Sequence, residues 1–137
     1  MRSNLNAWLM MLIPCMLMGA LPLGANEVAA KDYEPWAHPD VIRAAYIIGL
    51  DAKQQPKFRA HVTQFLQGYG ADVRKLLRGH NVTNLPRKIS TKRRNRVREM
   101  DDAMARILTK DQLLSYQDYR DLLLAKMDEK AAARLGR

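Results

Sequence analysis

The stretch Leu108-Thr109-Lys110-Asp111-Gln112 decides how the chain folds. Thr109 has the chemistry of a helix N-cap, whose hydroxyl accepts a hydrogen bond from an N–H left unpaired in the first turn. Gln112, three residues on, can reach back to the cap's own N–H and complete a capping box. Leu108 and Leu113 are spaced to pack on each other as a hydrophobic staple. The pentad therefore predicts a sharp corner between two helices. On this reading Thr109→Ala costs about 1 kcal/mol, the usual loss for a cap, and Gln112→Ala costs less.

Helical patterns lie on both sides of the corner. Residues 110–135 carry Leu113, Leu114, Leu122, Leu123, Met127 and Leu135 as an apolar stripe. Asp111, Asp118 and Asp121 come early and Lys126, Lys130 and Arg134 late, an order that complements the helix dipole. Residues 91–107 turn Val97, Met100, Met104 and Ile107 inward. Gly79, Asn81, Asn84 and Pro86 punctuate a loop over 79–90. Upstream, Phe58, Val62, Phe65, Leu66, Tyr69, Val73, Leu76 and Leu77 follow the spacing of one helix face over 54–78. That helix is about 37 Å long and implies an elongated molecule. Gly68 and Gly70 weaken its middle by roughly 1 kcal/mol each and suggest a bend. Residues 40–50 form a short helix, with Val41, Ile42, Ala45, Tyr46 and Ile48 apolar and Gly49 ending it. No strand alternation runs far enough to compete, so the fold class is all-α with about four helices.

A second pentad, Leu50-Asp51-Ala52-Lys53-Gln54, repeats the arrangement with Asp51 as the cap. It fits less well, because Gln55 replaces the staple's apolar partner. Pro56 falls where a helix needs its N–H. Either the first turn is distorted, or the helix starts at Pro56.

The N-terminus reads as a secretory signal: Arg2, an almost wholly apolar run Ala7 to Leu23, then small residues. Cleavage is expected after Ala25 or after Ala30. Residues 1–25 are then the signal peptide, 26–39 an extended leader holding Pro35 and Pro39, and 40–137 the helical domain. The competing reading, an uncleaved anchor, has a run at the short limit for a membrane span, broken by Pro14 and Pro22. Cys15 is the chain's single cysteine and leaves with the signal, so the mature chain has no disulfide. Cleavage after Ala25 leaves 22 bases against 14 acids. Nucleic acid is out of reach of an exported chain, and the expected partners are acidic proteins, unfolded chains or anionic membrane surfaces.

Two such corners, each opening a long amphipathic helix in an exported basic chain, resemble the Spy/CpxP family, which is marked by paired LTxxQ motifs. Residues 108–112 match the motif fully, and 50–54 match with Asp for Thr. The resemblance covers about residues 40–130. It implies a bent helical hairpin that pairs into a thin, cradle-like homodimer with a basic, partly apolar concave face. It also implies a periplasmic protein of the envelope stress response. Its activity is either ATP-independent chaperoning of unfolded or misfolded proteins, or docking on the sensor domain of a stress kinase. Asp51, Pro56 and the glycine pair depart from the pattern, which leaves the shape of the first corner open, and with it the cradle's curvature.

Arg87, Lys88, Lys92, Arg93, Arg94, Arg96 and Arg98 put seven bases in a twelve-residue run with no acid. A solvated helix face is one reading. The other is a client-binding surface. At the start of a helix the dipole disfavours cations, and Arg93 lies close in angle to Val97, Met100 and Met104, a mixture of arginine and methionine suited to adaptable binding. On that reading, replacing Arg93, Arg94, Arg96 and Arg98 leaves the helices intact, raises stability and weakens client protection. His38, His61 and His80 are too scattered for a metal site, although a metal-responsive envelope protein is a third functional class. Asn81-Val82-Thr83 matches a glycosylation acceptor that has no meaning in a bacterial periplasm. No catalytic constellation or phosphate loop is visible, so neither enzyme activity nor a cofactor is expected.

Overall fold

The structure is a computed structural model that describes residues 33–79 and 83–135, all within the unit Asp32–Arg137. The signal, leader residues 26–32, His80, Asn81, Val82 and the Leu135 side chain lie outside the described residues. Four α-helices make up the fold, and no strand occurs among the described residues. They are α1 (Pro39–Ile47), α2 (Gln54–Arg78), α3 (Leu85–Ala105) and α4 (Lys110–Leu135), with a 3-10 turn at Pro35–Ala37.

Helix α2 packs on α3, while α4 packs on α1 and on the 3-10 turn. The core joins the two pairs: Val41 of α1 and Ile48 just after it, Phe58, Val62 and Phe65 of α2, Met100 and Met104 of α3, and Tyr116, Tyr119 and Leu123 of α4 are all buried. Phe58 stands edge-on to Tyr116, with ring centroids 6.4 Å apart, and tilts against Tyr119 at 5.3 Å. Such pairs add about 0.5–1.5 kcal/mol beyond the area they bury. The Tyr116 hydroxyl donates to Asp101 at 2.7 Å. Burial first, then that hydrogen bond, pushes its pKa far above the usual tyrosine value.

Several expectations change. Helix α3 starts at Leu85 rather than at residue 91, because Pro86 falls in its first turn, where a missing N–H costs nothing. Asn84 takes a left-handed backbone (φ 60°) just before it. The end of the leader is not extended: Pro35 is buried, and Lys130 of α4 holds Glu34 at 2.8 Å. Helix α1 ends at Ile47, and Gly49 turns the chain at φ 67°, a conformation that suits glycine. Pro56 is the third residue of α2, and a turn through Ala52 and Lys53 leads in, so the first turn absorbs the proline. Helix α2 runs unbroken through Gly68 and Gly70. At Gly68 an added Cβ would sit 3.1 Å from the Arg96 guanidinium, which lies there to reach Asp72. Ile42, Tyr46, Leu77 and Leu114 face outward rather than into the core.

Candidate functional site

The two pentads meet. Asp51 caps the turn that leads into α2, its carboxylate accepting from the N–H groups of Lys53 and Gln54, each at 2.7 Å. Thr109 caps α4 more loosely, its hydroxyl accepting from Gln112 N–H at 3.3 Å. Each glutamine then closes its box: Gln54 Oε1 accepts from Asp51 N–H and Gln112 Oε1 from Thr109 N–H, both at 3.0 Å. These backbone donors fix which end of each amide is oxygen.

The amide nitrogens point across to the opposite corner. Gln54 Nε2 donates to Gln112 Oε1 at 2.9 Å, and Gln112 Nε2 donates to Gln54 Oε1 at 3.0 Å. Gln54 Nε2 also reaches the Ile107 carbonyl, two residues before Thr109, at 2.8 Å. Gln112 Nε2 reaches the Gly49 carbonyl, two residues before Asp51, at 3.0 Å. The arrangement is reciprocal, bond for bond, between glutamines 58 positions apart. A capping box accepts Glu as readily as Gln, but only Gln carries the N–H donors this pairing needs. Leu108 is buried beneath the second corner, and Leu50 and Leu113 pack against the core.

The basic run divides by helical angle. Met100 is 3% exposed and Met104 0%, so both belong to the core and offer no binding surface. Arg93 lies on the same inward side, clamps Asp128 of α4 with both terminal nitrogens, and approaches the Leu124 carbonyl. Arg96 also turns inward, to Asp72 of α2 at 2.8 Å and to Glu99 at 3.0 Å. Its hydrogen bond holds the Asp72 carboxyl below the usual range. These two arginines tie helices together. Arg87, Lys88, Lys92, Arg94 and Arg98 are exposed. With α3 starting at Leu85, only Arg87 and Lys88 fall in its first turn, so the dipole penalty does not reach the later arginines.

A shallow depression of about 540 Å³ opens beside Arg87, Lys88 and Lys92, with Asn84, Asn95 and Leu76 on its walls. Exposed apolar side chains gather elsewhere, on α1: Tyr46 is 88% exposed and Ile47 65%, with Ile42 a turn away. Helical spacing puts Ile42 and Tyr46 on the core side of α1, and the structure turns both outward instead. Tyr116 and Tyr119 lie outside the leucine stripe of α4, yet both are buried against Phe58. His38 caps α1, its ring nitrogen accepting from Asp40 N–H at 3.3 Å. Among the described residues no three His, Cys, Asp or Glu side chains are grouped to hold a metal ion, and no helix is long and apolar enough to cross a membrane. Neither a family model, nor a curated protein, nor a solved structure matches the chain.

Proposed function

We propose that this chain is an exported, periplasmic, ATP-independent chaperone-like protein that holds unfolded or aggregation-prone clients. The observation that carries the reading is the reciprocal Gln54–Gln112 pair. It makes the two pentads structural equivalents, so Asp51 in place of Thr no longer weakens the likeness to the paired LTxxQ motifs of Spy/CpxP proteins. Asp51 does the work of Thr109 with shorter hydrogen bonds.

Client binding in this proposal uses the exposed apolar residues of α1 together with outward bases, and not Met100 or Met104. Charge on such a surface speeds encounter, and apolar contact then retains the client. A second copy of the chain covers part of the apolar surface in the thin, cradle-like dimer of bent hairpins that completes the reading, since exposed apolar patches mark interaction sites. The test is light scattering from a chemically denatured client diluted with and without the protein, in the absence of ATP. The parent delays aggregation at near-stoichiometric ratios, and Ile42→Ser/Tyr46→Ser/Ile47→Ser loses most of that protection. A parent that leaves client aggregation unchanged refutes the proposal.

A further inference from the structure

The net charge of the chain is +9, and it is concentrated in one place. Between Asp72 and Glu99 lie ten bases and no acid, whereas the rest of the chain has thirteen bases against fourteen acids. That segment is the last quarter of α2 and the first two-thirds of α3, and of its residues Val97 packs against the core. No residue of α2 after Phe65 is fully buried, and none of α3 before Met100. Two of the ten bases, Arg93 and Arg96, turn inward to acids. Arg74 and Lys75 on α2 and Arg87, Lys88, Lys92 and Arg94 on α3 are exposed. Lys88 and Lys92 share the depression with Arg87 and the neutral hydrogen-bonding groups of Asn84 and Asn95. Leu77, 62% exposed, stands among the bases of α2.

We infer that this end of the α2–α3 pair docks on a membrane surface rich in lipid phosphates. Clusters of this size on a helical surface suit anionic headgroups, which attract each nearby base with about a five-fold gain in partitioning. A folded acidic partner sets its register by mixed charge, because like-charge juxtapositions exclude wrong fits. Here the exposed bases come from a segment without an acid, the bordering carboxylates of Asp128 and Glu99 are paired to Arg93 and Arg96, and a fluid layer of phosphates needs no register. The depression offers donors without a carboxylate to repel a phosphate, and Leu77 supplies an apolar contact at headgroup depth. The inference does not depend on the chaperone reading.

The experiment is co-sedimentation of the full chain with vesicles of phosphatidylcholine alone or mixed with phosphatidylglycerol. The neutral vesicles report any attachment through the apolar run Ala7 to Leu23, which anionic lipid does not change. Anionic vesicles are expected to hold the protein at least about ten-fold more strongly in about 0.05 M salt, and the preference fades in about 0.3 M as screening shortens. The variant Arg87→Gln/Lys88→Gln/Lys92→Gln/Arg94→Gln loses at least about ten-fold of that preference. A variant with equal charge loss elsewhere, Lys53→Gln/Lys57→Gln/Arg106→Gln/Lys110→Gln, keeps it, and circular dichroism checks that both are helical. Equal loss in the two variants, or no anionic preference in the parent, overturns the inference. So does displacement by inorganic phosphate but not by chloride at matched ionic strength, which identifies a free-phosphate site. Polyaspartate binding through the four bases without vesicle binding overturns it too, in favour of an acidic polypeptide.

Discussion

Gln112→Ala removes more than a cap. Gln112 takes part in one bond to its own cap N–H and three to the opposite corner. A net hydrogen bond contributes about 0.5–1.5 kcal/mol, and an unsatisfied partner adds to the loss. Water can replace the exposed cap bond, whereas the partly buried Gln54 amide loses both bonds to Gln112 and keeps those to Asp51 N–H and the Ile107 carbonyl. We expect about 2 kcal/mol, or roughly a 10 °C fall in melting temperature for a domain of this size. Thr109→Ala removes one exposed bond of 3.3 Å and should cost no more than about 1 kcal/mol. The order is the reverse of what the pentad alone predicts.

Urea unfolding followed by helical circular dichroism reads both values, provided the denaturant slope is unchanged. A double-mutant cycle gives the sharper result. Gln54→Ala also breaks the pair, so the two single losses should overshoot the double variant's by about 1–2 kcal/mol. Gln112→Glu separates cap from pairing: it keeps an acceptor for Thr109 N–H but sets a carboxylate against Gly49 O and Gln54 Oε1. Its folded carboxyl pKa is raised, so its deficit is full at neutral pH and shrinks as pH falls below about 5. Additive single losses, or a Gln112→Ala cost no larger than that of Thr109→Ala, would refute the coupling of the corners.

Other changes test other joints. Arg93→Gln/Arg96→Gln should cost about 1–2 kcal/mol by removing two half-buried interhelical ties, while Arg94→Gln/Arg98→Gln should stay within about 0.5 kcal/mol, both by urea unfolding. Tyr116→Phe, read the same way, should lose about 1–2 kcal/mol with its hydrogen bond to a carboxylate. Asp72→Asn should cost less than about 1 kcal/mol at neutral pH. The Asp72 pKa lies below its usual 3.8, so the parent's advantage is present above that value and vanishes as pH falls through the folded pKa. Acid titration of parent and variant side by side measures it.

Elements with a local cause were legible in the sequence. Thr109 and Gln112 contain their own capping chemistry, and the structure places their bonds as that chemistry requires. The inward side of α3, Val97, Met100 and Met104, follows from helical angle alone. What failed depended on partners. Pro86 reads as loop punctuation, yet proline suits a helix's first turn equally well, and α3 takes it there. Ile42 and Tyr46 looked like core because α1 is short and apolar on most of its circumference, and the direction from which α4 approaches decides which part is covered. Both glutamines were legible as caps, but their pairing was not, since nothing local brings residues 58 positions apart together.

The same distinction explains why one basic run has two roles. Helical angle put Arg93 beside the methionines, and composition alone made that look like a mixed binding surface. An arginine among buried methionines must instead find an acid, because burying an unpaired charge is far costlier than pairing it. Asp128 and Asp72 are those acids, one on each neighbouring helix, so α3 is tied to α4 through Arg93 and to α2 through Arg96. The outward bases have no such obligation. Their charges contribute little to stability, and like-charge repulsion opposes their clustering. A variant that removes Arg93, Arg94, Arg96 and Arg98 together therefore mixes a loosened fold with a neutralised surface, and a loss of activity in it would report on neither. The two pairs must be changed separately before the surface can be assigned a partner.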